Sequence, residues 1–200
     1  GDFIYPSFID LYTKYGLPKT KKKDPHYYRP QYKSKKDGAF HWNEAIHPEV
    51  NSHDQFTNNT TAAIPYLKNG FGLVLTHAQD GILRGTGCLV SLSKKTEQEN
   101  IILQEAASFL SFKKGASTQK NPTSLMGSIA LIRQTFLDAE WYRQQNEQTN
   151  LSYDAFNNQR NLPHIFIIKN ELDYSRVYKI GDEFEIDFII KGNGKEYSRI

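Results

Sequence analysis

Asp10, Tyr12 and Lys14 stand two residues apart near the end of the stretch FIYPSFIDLYTKYG, which spans Phe3 to Gly16. A carboxylate, a phenol and an ammonium group at one place could form a charged site. In such a site Lys14 either pairs with Asp10 or another carboxylate, or meets a bound anion. The plainer interpretation is a polar strand end that enters a loop. The elements around these residues decide between the two interpretations.

Other polar side chains also stand at the ends of apolar stretches. His77 ends LVLTH and can face the same side as Asp10, although a single histidine is more often a hydrogen-bonded structural group. Lys191 ends the last apolar stretch, whereas His164 precedes IFIIKN and therefore lies at the opposite end of its strand. The candidate site residues at strand ends are thus Asp10, Tyr12, Lys14, His77 and Lys191.

A long polar segment, residues 14–55, carries three histidines at intervals of six residues, with acidic residues between and beside them. These residues are His41, His47, His53, Glu44, Glu49 and Asp54. That interval does not place the histidines on one helix face, where ligands four residues apart are expected. We therefore interpret them as ordinary loop histidines, with a metal cluster as the less favoured alternative. A loop of this length is usually functional or wrapped around another part of the molecule.

The turn AQDGILRGTG contains three glycines and Arg84. Backbone N–H groups and an arginine in such a turn can bind a carboxylate or a phosphate. The stretch lacks the ending of a P-loop and does not match a dinucleotide-binding turn. The favoured interpretation is a tight turn in which Asp80 and Arg84 pair locally.

The charge distribution does not indicate a nucleic-acid or membrane partner. The formal net charge is only +3 at pH 7. The segment KTKKKDPHYYRPQYKSKK interleaves basic residues with Tyr27, Tyr28 and Tyr32, a composition that can bind single-stranded nucleic acid. No nucleic-acid fold motif accompanies it, so we interpret it as a solvated loop. No apolar run approaches the roughly 20 residues that a membrane span needs.

Composition and cysteine usage narrow the chemistry further. The 200 residues, 38% of them hydrophobic and 24% charged, suit one globular domain. The single cysteine, Cys88, excludes an internal disulfide and a cysteine-based zinc site, and its position inside a predicted strand favours a buried structural thiol. The sequence lacks the G-x-S-x-G motif, so it gives no support to a Ser-His-Asp triad.

Hydrophobic periodicity predicts strands that alternate with helices. Strands are predicted at 3–12, 71–78, 164–170 and 186–192, helices at 58–69, 121–143 and 172–184, and a hairpin at 87–93 and 100–106. Asn58 or Asn59 is the predicted cap of the first helix, and Asn121 with Pro122 the predicted start of the second. Such an order is typical of βαβ units, whose parallel strands gather functional sites at their carboxyl ends.

The stretch PSFIDLYTK resembles the first-strand motif of the amidohydrolase superfamily, P-G-F-I-D-x-H-x-H. The matching residues are Pro6, Phe8, Ile9 and Asp10, whereas Ser7 replaces the glycine. Tyr12 and Lys14 stand at the places of the two metal-binding histidines. The resemblance therefore implies a metal site that has lost its two defining ligands, since a phenol and an ammonium group do not replace two imidazoles at zinc.

Three longer segments are similar to a group of bacterial amidohydrolase-related proteins, many from Bacteroidetes and many exported. These segments are WNEAIHPEV, GFGLVLTHAQDGILRGTG and NPTSLMGSIALIRQTFLDAEWY. The resemblance implies a periplasmic or extracellular location and gives no substrate. It also implies a weak analogy between Lys191 and the carboxylated lysine that bridges two metals in several amidohydrolases.

The resemblance implies an α/β fold, namely a partial TIM-like barrel with parallel strands, an inserted hairpin and a long loop after the first strand. A complete barrel takes about 250 residues, so we expect residues 1–200 to be one domain at the amino-terminal part of a longer protein. The later metal ligands of the family would then lie beyond Ile200. We expect no cofactor or metal in this chain, whereas zinc remains an option for the full-length protein.

Three functions follow from these expectations. The favoured one is a non-catalytic structural or binding domain of a larger hydrolase-related protein. The alternatives are part of an active metal-dependent hydrolase of cyclic C–N bonds, and a basic module that binds acidic polymers. The expected partner is the remainder of the same polypeptide. Unpaired sheet edges would otherwise favour self-association, unless the segment 14–55 covers the inner face.

Overall fold

The structure is a computed structural model that describes residues 3–20, 30–145, 148–195 and 197. The described strands are β1 (Phe8–Thr13), β2 (Phe71–Thr76), β3 (Leu83–Ser91), β4 (Ile101–Ser111), β5 (His164–Ile167) and β6 (Phe188–Lys191). The described helices are α1 (Ser52–Gln55), α2 (Thr60–Lys68), α3 (Glu97–Asn100), α4 (Leu125–Arg143), α5 (Leu151–Asn158) and α6 (Glu171–Phe184).

The six strands form a single sheet in their chain order, and the sheet curls into half of a barrel. β1 is parallel to β2, and β4, β5 and β6 are parallel to one another. β3 lies between β2 and β4 and is antiparallel to both. Every strand except β3 therefore points in the same direction. This topology confirms the predicted partial barrel and the common direction of the four predicted single strands.

The predicted hairpin is confirmed as the pair β3–β4, and it is built into the sheet. β4 continues to Ser111, five residues beyond the predicted end at Ala106, and pairs in parallel with β5 through Ser108–Ser111. Its first half is largely exposed and its second half is buried. Because the two halves of β4 lie in different environments, the hydrophobic pattern changes midway along the strand. The sequence pattern therefore predicted too short a strand.

The observed start of α2 agrees with the sequence prediction, whereas the observed start of α4 differs from it. The Asn59 side chain accepts a hydrogen bond from the N–H of Ala62 at 2.9 Å, which confirms the predicted cap of α2. The predicted start of α4 at Asn121 and Pro122 is wrong, because Ser124 is the cap and accepts from the N–H of Gly127. The carbonyl of Asn121 instead accepts from the side chain of Asn43 at 3.0 Å.

The outer face of the sheet packs against α4 and α6. Its buried core includes Leu110, Ile132, Phe136, Phe166, Val177 and Ile180. Burial of each large apolar side chain contributes about 1.5–3 kcal/mol to stability. Ala45 and Ile46 of the long segment join this outer core beside Ile82 and Leu83. Among the described residues, no helix combines the length and apolar character that a membrane crossing requires.

The inner face of the half-barrel has its own small core. Leu75, Ala107, Phe109 and Ile165 are buried there, next to partly buried side chains of the same strands. No described residue of the segment 14–55 belongs to this cluster. The alternative that this segment covers the inner face is not seen for its described residues. Ala45 and Ile46 pack on the outer core, and Tyr15 and Leu17 pack in a separate cluster with Val74 and Cys88.

Gln119 fixes the long segment to the rest of the molecule. Its amide nitrogen donates to the carbonyls of Tyr32 and Trp42 at 3.1 and 3.0 Å. Its side-chain oxygen accepts from the backbone N–H of Glu44 at 2.6 Å. Gln119 itself is 1% exposed, and its three bonds are partly buried. One side chain thus supplies hydrogen bonds to the backbone of this segment, which a neighbouring strand would supply in a sheet.

Candidate functional site

A cleft of about 520 Å³ opens at the carboxyl ends of β1, β2 and β4. Because β3 runs in the opposite direction, its amino end reaches the same rim and brings Arg84 into the cleft. The polar side chains that line the cleft include Tyr12, Lys14, His77, Asp80, Arg84 and Lys113. Three of these, Tyr12, Lys14 and His77, belong to the set predicted from the sequence.

Tyr12 is the centre of a packed cluster at this rim. Its ring centroid lies 5.0 Å from that of His77, and the ammonium nitrogen of Lys191 lies 4.7 Å from the Tyr12 ring centroid. His77 in turn stacks on Phe109, with ring centroids 3.6 Å apart. The curl of the sheet therefore brings residues of β1 and β6, the two edge strands, into contact.

His77 is fully buried, yet neither of its ring nitrogens has a hydrogen-bond partner among the described residues. The expectation of a hydrogen-bonded structural histidine is therefore wrong. Burial, reinforced by the nearby charge of Arg84, lowers the pKa of His77 to about 3. The imidazole is consequently neutral at pH 7, with one N–H available to donate and one ring nitrogen available to accept.

Arg84 is only 4% exposed. Its Nε donates to the carbonyl of Gly81 at 3.0 Å, whereas its Nη1 has no partner among the described residues. Burial lowers the pKa of Arg84, and the neighbouring Tyr12 hydroxyl and Asp80 carboxylate oppose this shift. A buried guanidinium group with an unsatisfied donor is costly, so a partner for it is expected.

Asp80 does not supply that partner. No ion pair within 4.0 Å joins Asp80 and Arg84 in the described chain. The Asp80 carboxylate instead accepts the backbone N–H of Ala116 at 2.6 Å and so holds the loop after β4. The favoured sequence interpretation, local pairing of Asp80 with Arg84, is therefore wrong.

Asp10 and Lys14 do not pair either. The Asp10 side chain accepts the backbone N–H of Tyr12 at 2.9 Å and does not line the cleft. Lys14 is exposed at the cleft and forms no ion pair with a carboxylate of the described residues. The predicted pairing of Lys14 with Asp10 is thus wrong.

Sequence reasoning did not select Lys113 as a site residue. Lys113 lies two residues after the end of β4, in the loop that also places Gly115 and Ala116 at the cleft. The signal was the run AASFLS before it, which continues the strand toward the same end as His77. Because the predicted strand ended at Ala106, five residues before the observed end of β4, Lys113 was not recognised as a residue at a strand end.

The residues at the rim do not fit a zinc centre of the amidohydrolase type. His77 is the only imidazole among the described lining residues, and the cleft adds Lys14, Arg84 and Lys113, whose charges repel a cation. No group of three or more His, Cys, Asp or Glu side chains in the described parts of the chain could hold a metal. The loop histidines form no such group: His41 accepts from the N–H of Asn43, and His53 lies 3.2 Å from Asp54.

The fold and the cleft define an α/β half-barrel domain with a basic site at the strand ends. Its structure is similar to the crystal structure of an amidohydrolase from Thermotoga maritima MSB8, with a TM-score of 0.70 and 20% sequence identity. The likeness covers 93% of this chain and 51% of that chain, so the chain spans about half the length of that protein. At this identity the likeness shows an amidohydrolase-like fold alone. No protein-family model and no curated protein matches the chain.

Proposed function

We propose that this chain is a non-catalytic amidohydrolase-like domain of a larger hydrolase-related protein, with a binding role at its strand ends. The observation that carries the proposal is the cluster around Tyr12. A phenol ring stands where the family motif has an imidazole, and it packs against His77 and under the ammonium group of Lys191. Among the described lining residues the strand end offers one imidazole, that of His77, whereas a zinc site takes several such ligands.

The charges of the cleft support the same proposal. Among the described lining residues, four carry cationic side chains, namely Lys14, Lys19, Arg84 and Lys113, whereas Asp80 brings one carboxylate. Hydrolysis by a metal-bound water needs a cation at this end of the barrel. Four positive charges oppose such an ion and favour an anionic ligand instead.

The fold likeness supports the larger-protein part of the proposal. The structurally similar amidohydrolase is about twice as long as the stretch that this chain matches. A half-barrel leaves sheet edges that further strands of the same polypeptide can pair. The proposal therefore expects further strands in the same polypeptide. The sequence of the full gene would reveal them and any second, active barrel.

Zinc loading tests the proposal. The purified chain is incubated with excess zinc, dialysed, and its metal content is measured by elemental analysis. We expect a substoichiometric zinc content, and the same value for His77→Gln and for the control His53→Gln, whose histidine lies outside the cleft.

One tightly held zinc per chain that is lost in His77→Gln and retained in His53→Gln would overturn the proposal. Such a site would have been rebuilt from other ligands. The function would then be the alternative one, part of an active metal-dependent hydrolase of C–N bonds.

A further inference from the structure

We propose that the strand-end cleft binds a small oxyanion, a carboxylate or a phosphate, between Arg84, His77 and Lys14. This inference deepens the proposed function and rests on it, because the anion would take the place that a metal ion has in related hydrolases. It names the ligand class that a binding role at this cleft requires.

Arg84 carries the argument. Only 4% of Arg84 is exposed. It lines the cleft, and its Nη1 has no hydrogen-bond partner among the described residues. A guanidinium group binds carboxylate and phosphate oxygens in a planar, often bidentate geometry. Its Nε is already bonded to the Gly81 carbonyl, which fixes the orientation of the group before any ligand arrives.

His77 adds a second unused donor to the same cleft. Both of its ring nitrogens lack a partner in the described chain, and its ring is held by stacking on Phe109. A neutral imidazole can donate one N–H to an anionic oxygen without a further charge. Arg84 and His77 therefore each have an N–H group without an acceptor, and one ligand with several oxygen atoms could accept from both.

The exposed lysines complete the site at its mouth. Lys14 makes no ion pair within the described residues, and Lys113 also lines the cleft. The only carboxylate among the described lining residues, Asp80, is engaged with the Ala116 N–H. The potential in the cleft is therefore positive, which attracts anions from solution.

Calorimetric titration of the purified chain at low ionic strength tests the proposal with two probes, inorganic phosphate and malonate. We expect at least one of them to bind with a stoichiometry of one. Arg84→Gln should weaken that binding by about tenfold or more, because a charge-assisted bond is lost. Lys14→Gln should weaken it several-fold, since its contact is exposed.

The matched control is Lys68→Gln. Lys68 ends α2 beside the amino end of β2, at the opposite end of the strand from the cleft, and is likewise an exposed lysine. This variant should bind as the unchanged chain does. Preference for phosphate would assign the ligand to phosphate esters, and preference for malonate would assign it to carboxylates.

Absence of binding by both probes would overturn the inference, as would equal weakening by Lys68→Gln and Lys14→Gln. Should Arg84→Gln fail to fold, Arg84→Lys and Lys14→Gln keep the test decisive. Zinc analysis separates the two proposals: a chain that binds neither zinc nor anion contradicts only the oxyanion site, whereas a chain that holds zinc contradicts the proposed function itself.

Discussion

At the residue scale, Gly85 directly follows Arg84 in β3 and has a backbone conformation that favours glycine. Its φ is +78°, a left-handed conformation that residues with a side chain rarely adopt. A Cβ atom added there would lie 1.9 Å from the carbonyl oxygen of Val50. The backbone of the long segment therefore presses directly on the turn that carries the arginine.

We predict that Gly85→Ala lowers the free energy of unfolding by at least about 3 kcal/mol, because backbone strain and a backbone clash act together. Urea denaturation followed by circular dichroism measures this change. The control is Gly194→Ala, where φ is also positive, at +86°, but an added Cβ meets nothing within 4 Å.

The control should cost only the left-handed strain, roughly 1–2 kcal/mol. Equal losses in the two variants would contradict the argument, since they would show that contact with Val50 adds nothing. A shift of the long segment by a few tenths of an ångström cannot relieve an overlap of this size, because the neighbouring atom is the backbone carbonyl oxygen of Val50.

The residues of the site were predictable in part. The sequence placed Tyr12, Lys14, His77 and Lys191 at strand ends, because the carboxyl ends of parallel strands share one edge of a sheet. The partners of Asp80 and Arg84 were not predictable. The loop after β4 offers the Ala116 N–H to the Asp80 carboxylate, and Asp80 therefore does not pair with Arg84.

At the element scale, the segment from residue 30 to residue 51 keeps its position without forming a regular helix or strand. Isolated bridges join Gln31 to Gln119, Ile46 to Leu83 and Asn51 to Thr86. The buried side chain of Gln119 adds its three hydrogen bonds to these contacts. The conformation of the segment is therefore set by long-range contacts rather than by local preference.

We predict that Gln119→Ala lowers the free energy of unfolding by about 3 kcal/mol, because two carbonyls and one N–H lose their buried partner. The same change should expose the segment to trypsin at Lys33, Lys35 and Lys36. Urea denaturation and the rate of limited proteolysis measure the two effects.

Gln104→Ala is the matched control, since Gln104 is exposed on β4. It should change stability by less than about 0.5 kcal/mol and leave proteolysis unchanged. Faster cleavage in both variants would indicate general loosening, and would contradict a specific role for Gln119.

Elements with strong local signals were predicted well, and elements defined by distant contacts were not. α2, predicted from its flanking asparagines and Gly70, and α6 were both found with nearly correct ends. α5 was missed because LSYDAFNN is short and polar, and its helix is supported by the side-chain cap of Asn150 and by burial of Phe156 against α4. No local pattern reports such packing in advance.

At the scale of the whole molecule, the half-barrel has two open edges. Among the described residues, β1 pairs only with β2 and β6 pairs only with β5. Leu11 on β1 is 60% exposed and Ile189 on β6 is 53% exposed. Unpaired strands with exposed apolar side chains are places where further strands attach.

We predict that the isolated chain self-associates through these edges, and that Leu11→Lys shifts it toward the monomer by placing a charge on the edge of β1. Light scattering at several protein concentrations measures the mass. The control Leu137→Lys alters a residue of α4 that is 55% exposed and distant in sequence from both edge strands. A monomeric mass for the unchanged chain at high concentration would contradict the prediction.

The reversed direction of β3 has a consequence for the order in which the chain folds. The links between β2 and β3 and between β3 and β4 are short, at residues 77–82 and 92–100, whereas those before β2 and after β4 span residues 14–70 and 112–163. Closing a short loop costs less chain entropy than closing a long one. We therefore expect β2, β3 and β4 to form the folding nucleus, from which the sheet grows outward to the strands that carry Tyr12 and Lys191.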